Sequence, residues 1–332
     1  MKLLVYFNNL VNVKLDLLIL LSDEYISNKG KVKEEDDCLN ISFKKVELPN
    51  GETMGYRERD GGEDVLLLIH GNMTSSKHWD LVIETLPEKF KVYAVDLRGF
   101  GISTYHQPIE TIKDFSDDIK QFTDAIGLEE FFICGWSTGG AVAMQFTIDY
   151  PNKVKKLILL ASASTRGYPF FSVNASGNPI RLTKKEEFFN DTTKAIPVLQ
   201  AYRNKDKSFL RGMWNFLIYN NNQPAPDRYD EYLEDMLTQR NLVDVYQALN
   251  LFNISGFHNG ISEGTDRAKE ITVPTLVLWG ENDLVIAESM TNEIAEDIGD
   301  NAKVKCLKNC GHSPLVDDLN QLLHEITTFL DE

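Results

Sequence analysis

Ser137 stands in Gly135-Trp136-Ser137-Thr138-Gly139, after the apolar run Phe131-Phe132-Ile133-Cys134 and before Gly140-Ala141-Val142-Ala143. The first run reads as a strand and the second as the small-residue face of a helix. A strand that turns sharply into a helix forces the corner residue into a strained conformation, and glycines two positions either side let the two elements approach. The serine oxygen is then presented beside the first free amides of the helix. The chemistry implied is nucleophilic attack by Ser137. The bland alternative is a glycine-rich turn with a bystander serine.

A serine hydroxyl is a weak nucleophile. It needs a base, which histidine supplies near pH 7, and the histidine needs an acid to fix its tautomer. Of the six histidines, His70 and His78 lie near the first strand–helix loop, His106 follows the next, His258 is in a central insertion and His324 is inside a helix. His312 stands in Asn309-Cys310-Gly311-His312-Ser313-Pro314, after a late strand and before the last helix. Loops that follow parallel strands gather at one edge of the sheet, where Ser137 also lies. His312 is therefore the expected base, against the alternative of a histidine that caps the final helix. The same rule makes Asp283, in Trp279-Gly280-Glu281-Asn282-Asp283, the expected acid, with Glu281 as its alternative. Ala161-Ser162-Ala163-Ser164 contains no acid, and Asp317 and Asp318 are expected to serve the dipole of the final helix. The developing oxyanion needs amide donors. The backbone N–H groups of Thr138 and Asn72 are the candidates. Trp136, Phe171 and Trp214 are expected at the substrate.

These residues need a sheet to hold them. Val65-Leu66-Leu67-Leu68-Ile69 is a continuous apolar run, the mark of a strand covered on both faces. Further strands are expected at 41–48, 53–58, 91–95, 130–134, 156–160, 274–279 and 303–307, with helices at 77–86, 111–126, 287–298 and 315–330. Strands alternating with helices predict an α/β, doubly wound, mostly parallel sheet. The rhythm stops between about 165 and 271, where aromatic helical patterns without a strand pattern predict an inserted helical cap. The core is then 41–164 plus 272–332. Residues 1–40 read as an amphipathic extension followed by a charged linker.

The chain has 332 residues, 42% of them hydrophobic, 25% charged, and a formal net charge of −16. That acidity, without a basic stripe, argues against nucleic acid as a partner. The apolar stretch near residues 10–21 is interrupted by Lys14 and Asp16, so neither a membrane span nor a signal peptide is expected and the location reads as cytoplasmic. Cys306 and Cys310 are four apart, not the spacing of a redox or zinc pair, and no cluster has metal-ligand spacing. No metal is expected.

The chain resembles the α/β-hydrolase family. The resemblance rests on His70-Gly71, on Asp96-x-Arg98-Gly99-x-Gly101-x-Ser103, on Gly135-x-Ser137-x-Gly139, on Gly311-His312 and on the order Ser…Asp…His. It implies an eight-stranded, mostly parallel sheet, a triad of Ser137, Asp283 and His312, an oxyanion hole, and no metal or organic cofactor. His70-Gly71-Asn72 followed by Thr74-Ser75-Ser76 is similar to the haloalkane dehalogenase loop, but those enzymes and epoxide hydrolases carry an aspartate where Ser137 stands. The Gly-Gly-Pro-Gly run of proline iminopeptidases is absent. The function implied is a serine hydrolase of esters, thioesters or lactones with small to medium acyl groups. The same triad also suits a carbon–carbon bond hydrolase or a low-turnover ligand receptor of this fold.

Overall fold

The computed structural model describes residues 41–173 and 176–332. The N-terminal extension and Cys38 lie outside the described residues. Eight strands form one sheet: β1 (Ile41–Glu47), β2 (Thr53–Arg59), β3 (Asp64–Ile69), β4 (Phe90–Val95), β5 (Phe131–Trp136), β6 (Val154–Leu160), β9 (Thr275–Gly280) and β10 (Ala302–Leu307). Their spatial order is β1-β2-β4-β3-β5-β6-β9-β10. The β1–β2 hairpin is antiparallel and joins β4 antiparallel; all other pairings are parallel.

The continuous apolar strands are buried on both faces. Leu67, Ile69, Ile133, Leu157 and Leu159 pack on one side with α2 (Ile112–Ala125), α3 (Thr138–Asp149) and α9 (Glu288–Ile298). Leu66, Leu68, Phe132, Cys134, Ile158 and Leu160 pack on the other with α1 (Asp80–Thr85) and the last helix. A single helix was expected over 315–330; the chain makes two, α10 (Pro314–Asp317) and α11 (Leu319–Asp331). The break is chemical. The Asp318 carboxylate accepts the Gln321 N–H at 3.0 Å as the cap of α11, which pulls the backbone out of helical conformation between them.

Residues 165–271 carry α4 (Lys185–Phe189), α5 (Ala195–Asn204), α6 (Lys207–Leu217), α7 (Pro226–Met236) and α8 (Leu242–Leu251). They also hold a short antiparallel hairpin, β7 (Phe171–Val173) with β8 (Pro179–Arg181). Its strands are three residues long and mostly exposed, so no hydrophobic alternation announced them. Both ends of the insertion are tied to core helices by ion pairs, Arg166 to Asp297 at 3.1 Å and Arg267 to Asp149 at 2.8 Å. No helix among the described residues is long and apolar enough to cross a membrane.

His70 fixes the first loop at the carboxyl edge of the sheet. Its Nε2 accepts the Leu97 N–H at 2.9 Å and its Nδ1–H donates to the Gly71 carbonyl at 2.7 Å, so the ring is neutral and bridges the ends of β3 and β4. Burial pulls its pKa from 6.5 down to about 4. In the unfolded chain the ring takes a proton below about 6.5, while the folded chain resists it until about pH 4. The unfolded state therefore gains protons first as pH falls, and stability should drop by about 3 kcal/mol between those limits. Denaturant unfolding at pH 7 and pH 4 tests this: His70→Gln should lose less stability over the interval than the parent, and equal losses would exclude His70 as the source.

Candidate active site

Ser137 sits between β5 and α3 at φ 56°, ψ −115°, a strained conformation for a residue with a side chain. Its N–H donates to the Leu160 carbonyl at 2.9 Å, and its carbonyl accepts from Gly140 at 3.0 Å and Ala163 at 3.2 Å. The corner is tight. A Cβ on Gly135 would fall 2.1 Å from the Gly139 oxygen, and one on Gly139 would fall 2.3 Å from the Ile69 oxygen. Glycine is the residue that fits at both positions. Thr138 is the first residue of α3, so its N–H has no helical carbonyl to bond. The Asn72 N–H has no partner among the described residues.

His312 follows β10. Its Nδ1 lies 2.9 Å from Asp283 Oδ2, and both side chains are buried. Asp283 Oδ1 accepts the N–H groups of Val285 at 2.7 Å and Ile286 at 2.9 Å. With one oxygen so held, the other faces the imidazole, which donates from Nδ1 and leaves Nε2 unprotonated. Glu281 is turned away, paired with Lys308 at 2.9 Å and accepting the Asn309 N–H.

A cavity of about 760 Å³ lies between the sheet edge and the insertion. Ser137, Thr138, Asn72, Met73, Leu284 and His312 line it from the core. Tyr168, Phe170, Val198, Met213, Trp214 and Tyr246 are among the residues facing it from the insertion. Among the described residues Lys194 is the one lysine at its wall, and no aspartate, glutamate or arginine lines it. Asp283 thus stands behind His312 rather than on the cavity surface.

Two expected substrate residues are elsewhere. Trp136 is buried behind the site, where its indole N–H donates to the His312 carbonyl at 2.8 Å and its ring lies tilted against the imidazole, 5.8 Å between centroids. It is directed there because successive strand residues face opposite sides of the sheet. Phe171 lies on β7, is 42% exposed, and does not line the cavity. Trp214 does line it.

Asp317 was expected to serve a helix dipole. Its carboxylate instead accepts the Gly311 N–H at 2.7 Å and the Asn222 N–H at 2.9 Å, so it braces the loop that carries His312. Gln239, which reaches Asn72 from the insertion at 2.7 Å, was not foreseen at all. Neither residue stands in a motif, and nothing in their spacing could have found them. Among the described residues no group of three or more His, Cys, Asp and Glu side chains could hold a metal ion. Cys134, Cys306 and Cys310 are free thiols.

The arrangement brings a hydroxyl on a strained corner and an imidazole oriented by a buried carboxylate to one cavity wall. Comparison with known proteins agrees with the fold. The chain is 25% identical over 309 residues to Lipase 3 of Moraxella sp. (strain TA144), across 90% of this chain and 88% of the lipase. It is 24% identical over 263 residues to the 2-hydroxy-6-oxononadienedioate/2-hydroxy-6-oxononatrienedioate hydrolase of Paraburkholderia phymatum, across 77% of this chain and 83% of that enzyme. A thermophilic esterase from Thermogutta terrifontis superposes with a TM-score of 0.67 at 20% identity, covering 87% of this chain and 98% of the esterase. A model described as the alpha/beta hydrolase fold matches residues 64–319, and the chain belongs to that family.

Proposed function

We propose that the protein is a serine hydrolase of carboxylic esters with a small to medium apolar acyl group. The observation that carries this reading is the pairing of His312 with Asp283 at 2.9 Å behind a cavity that Ser137 and His312 both line. In this reading His312 Nε2 takes the Ser137 proton as Oγ attacks the ester carbonyl. Asp283 holds the imidazole in the required tautomer and stabilises the imidazolium. The N–H groups of Asn72 and Thr138 receive the negative charge that forms on the carbonyl oxygen. His312 returns the proton to the leaving alcohol, and an acyl group remains on Ser137. Water, deprotonated by His312, then releases the acid.

The cavity falls within the roughly 300–1,000 Å³ of sites for drug-sized molecules, and its wall is largely apolar. Lipase 3 supports the ester reading by its name. The related 2-hydroxy-6-oxononadienedioate/2-hydroxy-6-oxononatrienedioate hydrolase acts, by its name, on a dioate, which carries two carboxylates. A wall with one lysine, in a chain of net charge −16, gives such a dianion little help.

Purified protein should turn over a short nitrophenyl ester, and activity confined to vinylogous diketones, or tight binding without turnover, would overturn the assignment. Ser137→Ala should lower kcat by ~10⁴-fold or more and Asp283→Asn by ~10⁴-fold, while Glu281→Gln leaves it at the parent level. More than about a tenth of parent turnover in Ser137→Ala would remove Ser137 from the role.

The insertion should set acyl length. Gly212 lines the cavity, and a Cβ there meets no atom within 4 Å. Gly212→Leu should therefore shift preference toward shorter acyl chains across an acetyl-to-octanoyl series, by roughly 1–3 kcal/mol per lost methylene-scale contact. Trp214→Ala should shift it toward longer chains, and Phe171→Ala should leave it unchanged. An unaltered profile in the first two, with folding verified by circular dichroism, would place acyl selection elsewhere.

A further inference from the structure

A line of polar side chains runs from a buried backbone carbonyl in the loop after β4 to the cavity wall, and its polarity is fixed at one end. The Arg98 carbonyl can only accept. Asn241 Nδ2 donates to it at 2.7 Å, which turns Asn241 Oδ1 toward Gln239. Gln239 Nε2 donates to that oxygen at 3.0 Å. The Gln239 oxygen therefore faces the other way, where it accepts the Tyr202 hydroxyl at 2.9 Å. Burial pushes the Tyr202 phenol well above its ordinary pKa, so it stays a donor. The second hydrogen on Gln239 Nε2 goes to Asn72 Oδ1 at 2.7 Å. Gln239 and Asn241 are buried, at 5% and 1% exposure, so water does not compete for these bonds.

The carboxamide of Asn72 is thereby left with one free end. Its oxygen is taken by Gln239, and its NH₂ has no partner among the described residues, while Asn72 lines the same cavity as Ser137 and Thr138. The two ends have opposite consequences for acyl transfer. An amide NH₂ facing the reacting carbonyl stabilises the charge that develops there; an amide oxygen in its place repels it.

We propose that Gln239 is a positioning residue that fixes the flip state of Asn72, so that the carboxamide NH₂ joins the backbone N–H groups of Asn72 and Thr138 in receiving the oxyanion. Tyr202, Gln239 and Asn241 all belong to the insertion and Asn72 to the core. Seating of the insertion on the core is then a condition for full transition-state stabilisation. This inference rests on the serine-hydrolase reading above.

Gln239→Glu and Gln239→Met separate this role from simple anchoring. An ionised Glu at 239 can only accept, so it draws the Asn72 NH₂ toward itself and turns the Asn72 oxygen to the cavity. Once protonated, it donates again. Relative to the parent at each pH, kcat of Gln239→Glu should be depressed by about 10²-fold at high pH and recover as pH falls. Gln239→Met should lose about tenfold in kcat with little change in KM and a pH profile parallel to the parent. In an Asn72→Ala background, which keeps the backbone N–H, the Gln239 changes should cost nothing further. If Gln239→Met does not fold, Tyr202→Phe releases Gln239 more gently; it should lower kcat several-fold, and that loss too should vanish with Asn72→Ala. Parent-level kcat in folded Gln239 variants, losses that add fully to Asn72→Ala, or a pH-independent ratio for Gln239→Glu would overturn the proposal while leaving the hydrolase reading intact. Turnover that survives Ser137→Ala would overturn the hydrolase reading itself, and this inference with it.

Discussion

Ser137 stands at φ 56°, ψ −115°, where a residue with a side chain carries strain on the order of 1–3 kcal/mol, and its neighbourhood is built to hold it there. Hydrogen bonds grip its backbone from β6 on one side and from the loop after β6 and the start of α3 on the other. Both β5 and α3 are buried almost throughout; in α3 only Asp149, the last residue, is not. A helix apolar on every side belongs inside the protein, and that burial is what opposes relaxation of the corner. The missing side chains at Gly135 and Gly139 follow from the same constraint, since each would collide with backbone rather than with a movable side chain.

The pair behind the cavity depends on a different economy. A buried carboxylate is costly unless its oxygens are satisfied. Asp283 has two amide donors on one oxygen and His312 on the other, so its charge is compensated and its orientation is set by backbone. His312 is in turn held by its own main chain: Trp136 donates to its carbonyl, and Asp317 accepts from Gly311 just before it. Trp136, adjacent to Ser137 in sequence, thus links the strained corner to the imidazole without touching the cavity. The loops are coupled through hydrogen bonds that run mostly from side chain to main chain, so the backbone sets their geometry.

The insertion contributes most of the apolar cavity wall, and several of its polar residues face the core loops. Arg166 and Arg267 tie its ends to α9 and α3. The last turn of α7 and the residues after it reach the first two strand–helix loops: the Ser75 hydroxyl donates to Asp235 at 2.6 Å, the Gly101 N–H donates to Thr238 at 2.9 Å, and the Arg240 N–H donates to the Gly99 carbonyl at 2.9 Å. His78 stacks on Tyr232 of α7 in the same region. These bonds are directional, whereas the apolar contacts on the cavity side are not. The polar set fixes where the insertion sits, and the cavity shape follows from that.

The sequence by itself determined the parallel core and the identity of the residues that meet at its edge. Runs such as Val65–Ile69 and Phe131–Cys134 can satisfy burial on two faces only as inner parallel strands, and glycine spacing around Ser137 records a backbone collision that is local in the chain. Ser137, Asp283 and His312 were legible because each lies in the loop after its own strand, so topology carries all three to one edge. What lay beyond local patterning was decided by tertiary structure. The hairpin at 171–181 is too short and too exposed to leave a hydrophobic period. Phe171 and Trp214 are both aromatic residues of the insertion, and only the packing of α6 against the core separates the cavity wall from the surface. Trp136 reads as a substrate contact beside Ser137, yet strand alternation sends it to the opposite side. Asp317 and Gln239 act on atoms 6 and 167 positions away, Gly311 and Asn72 respectively. A hydrogen bond depends on where donor and acceptor finish in space, and no spacing rule encodes a partner that the fold alone brings within 3 Å.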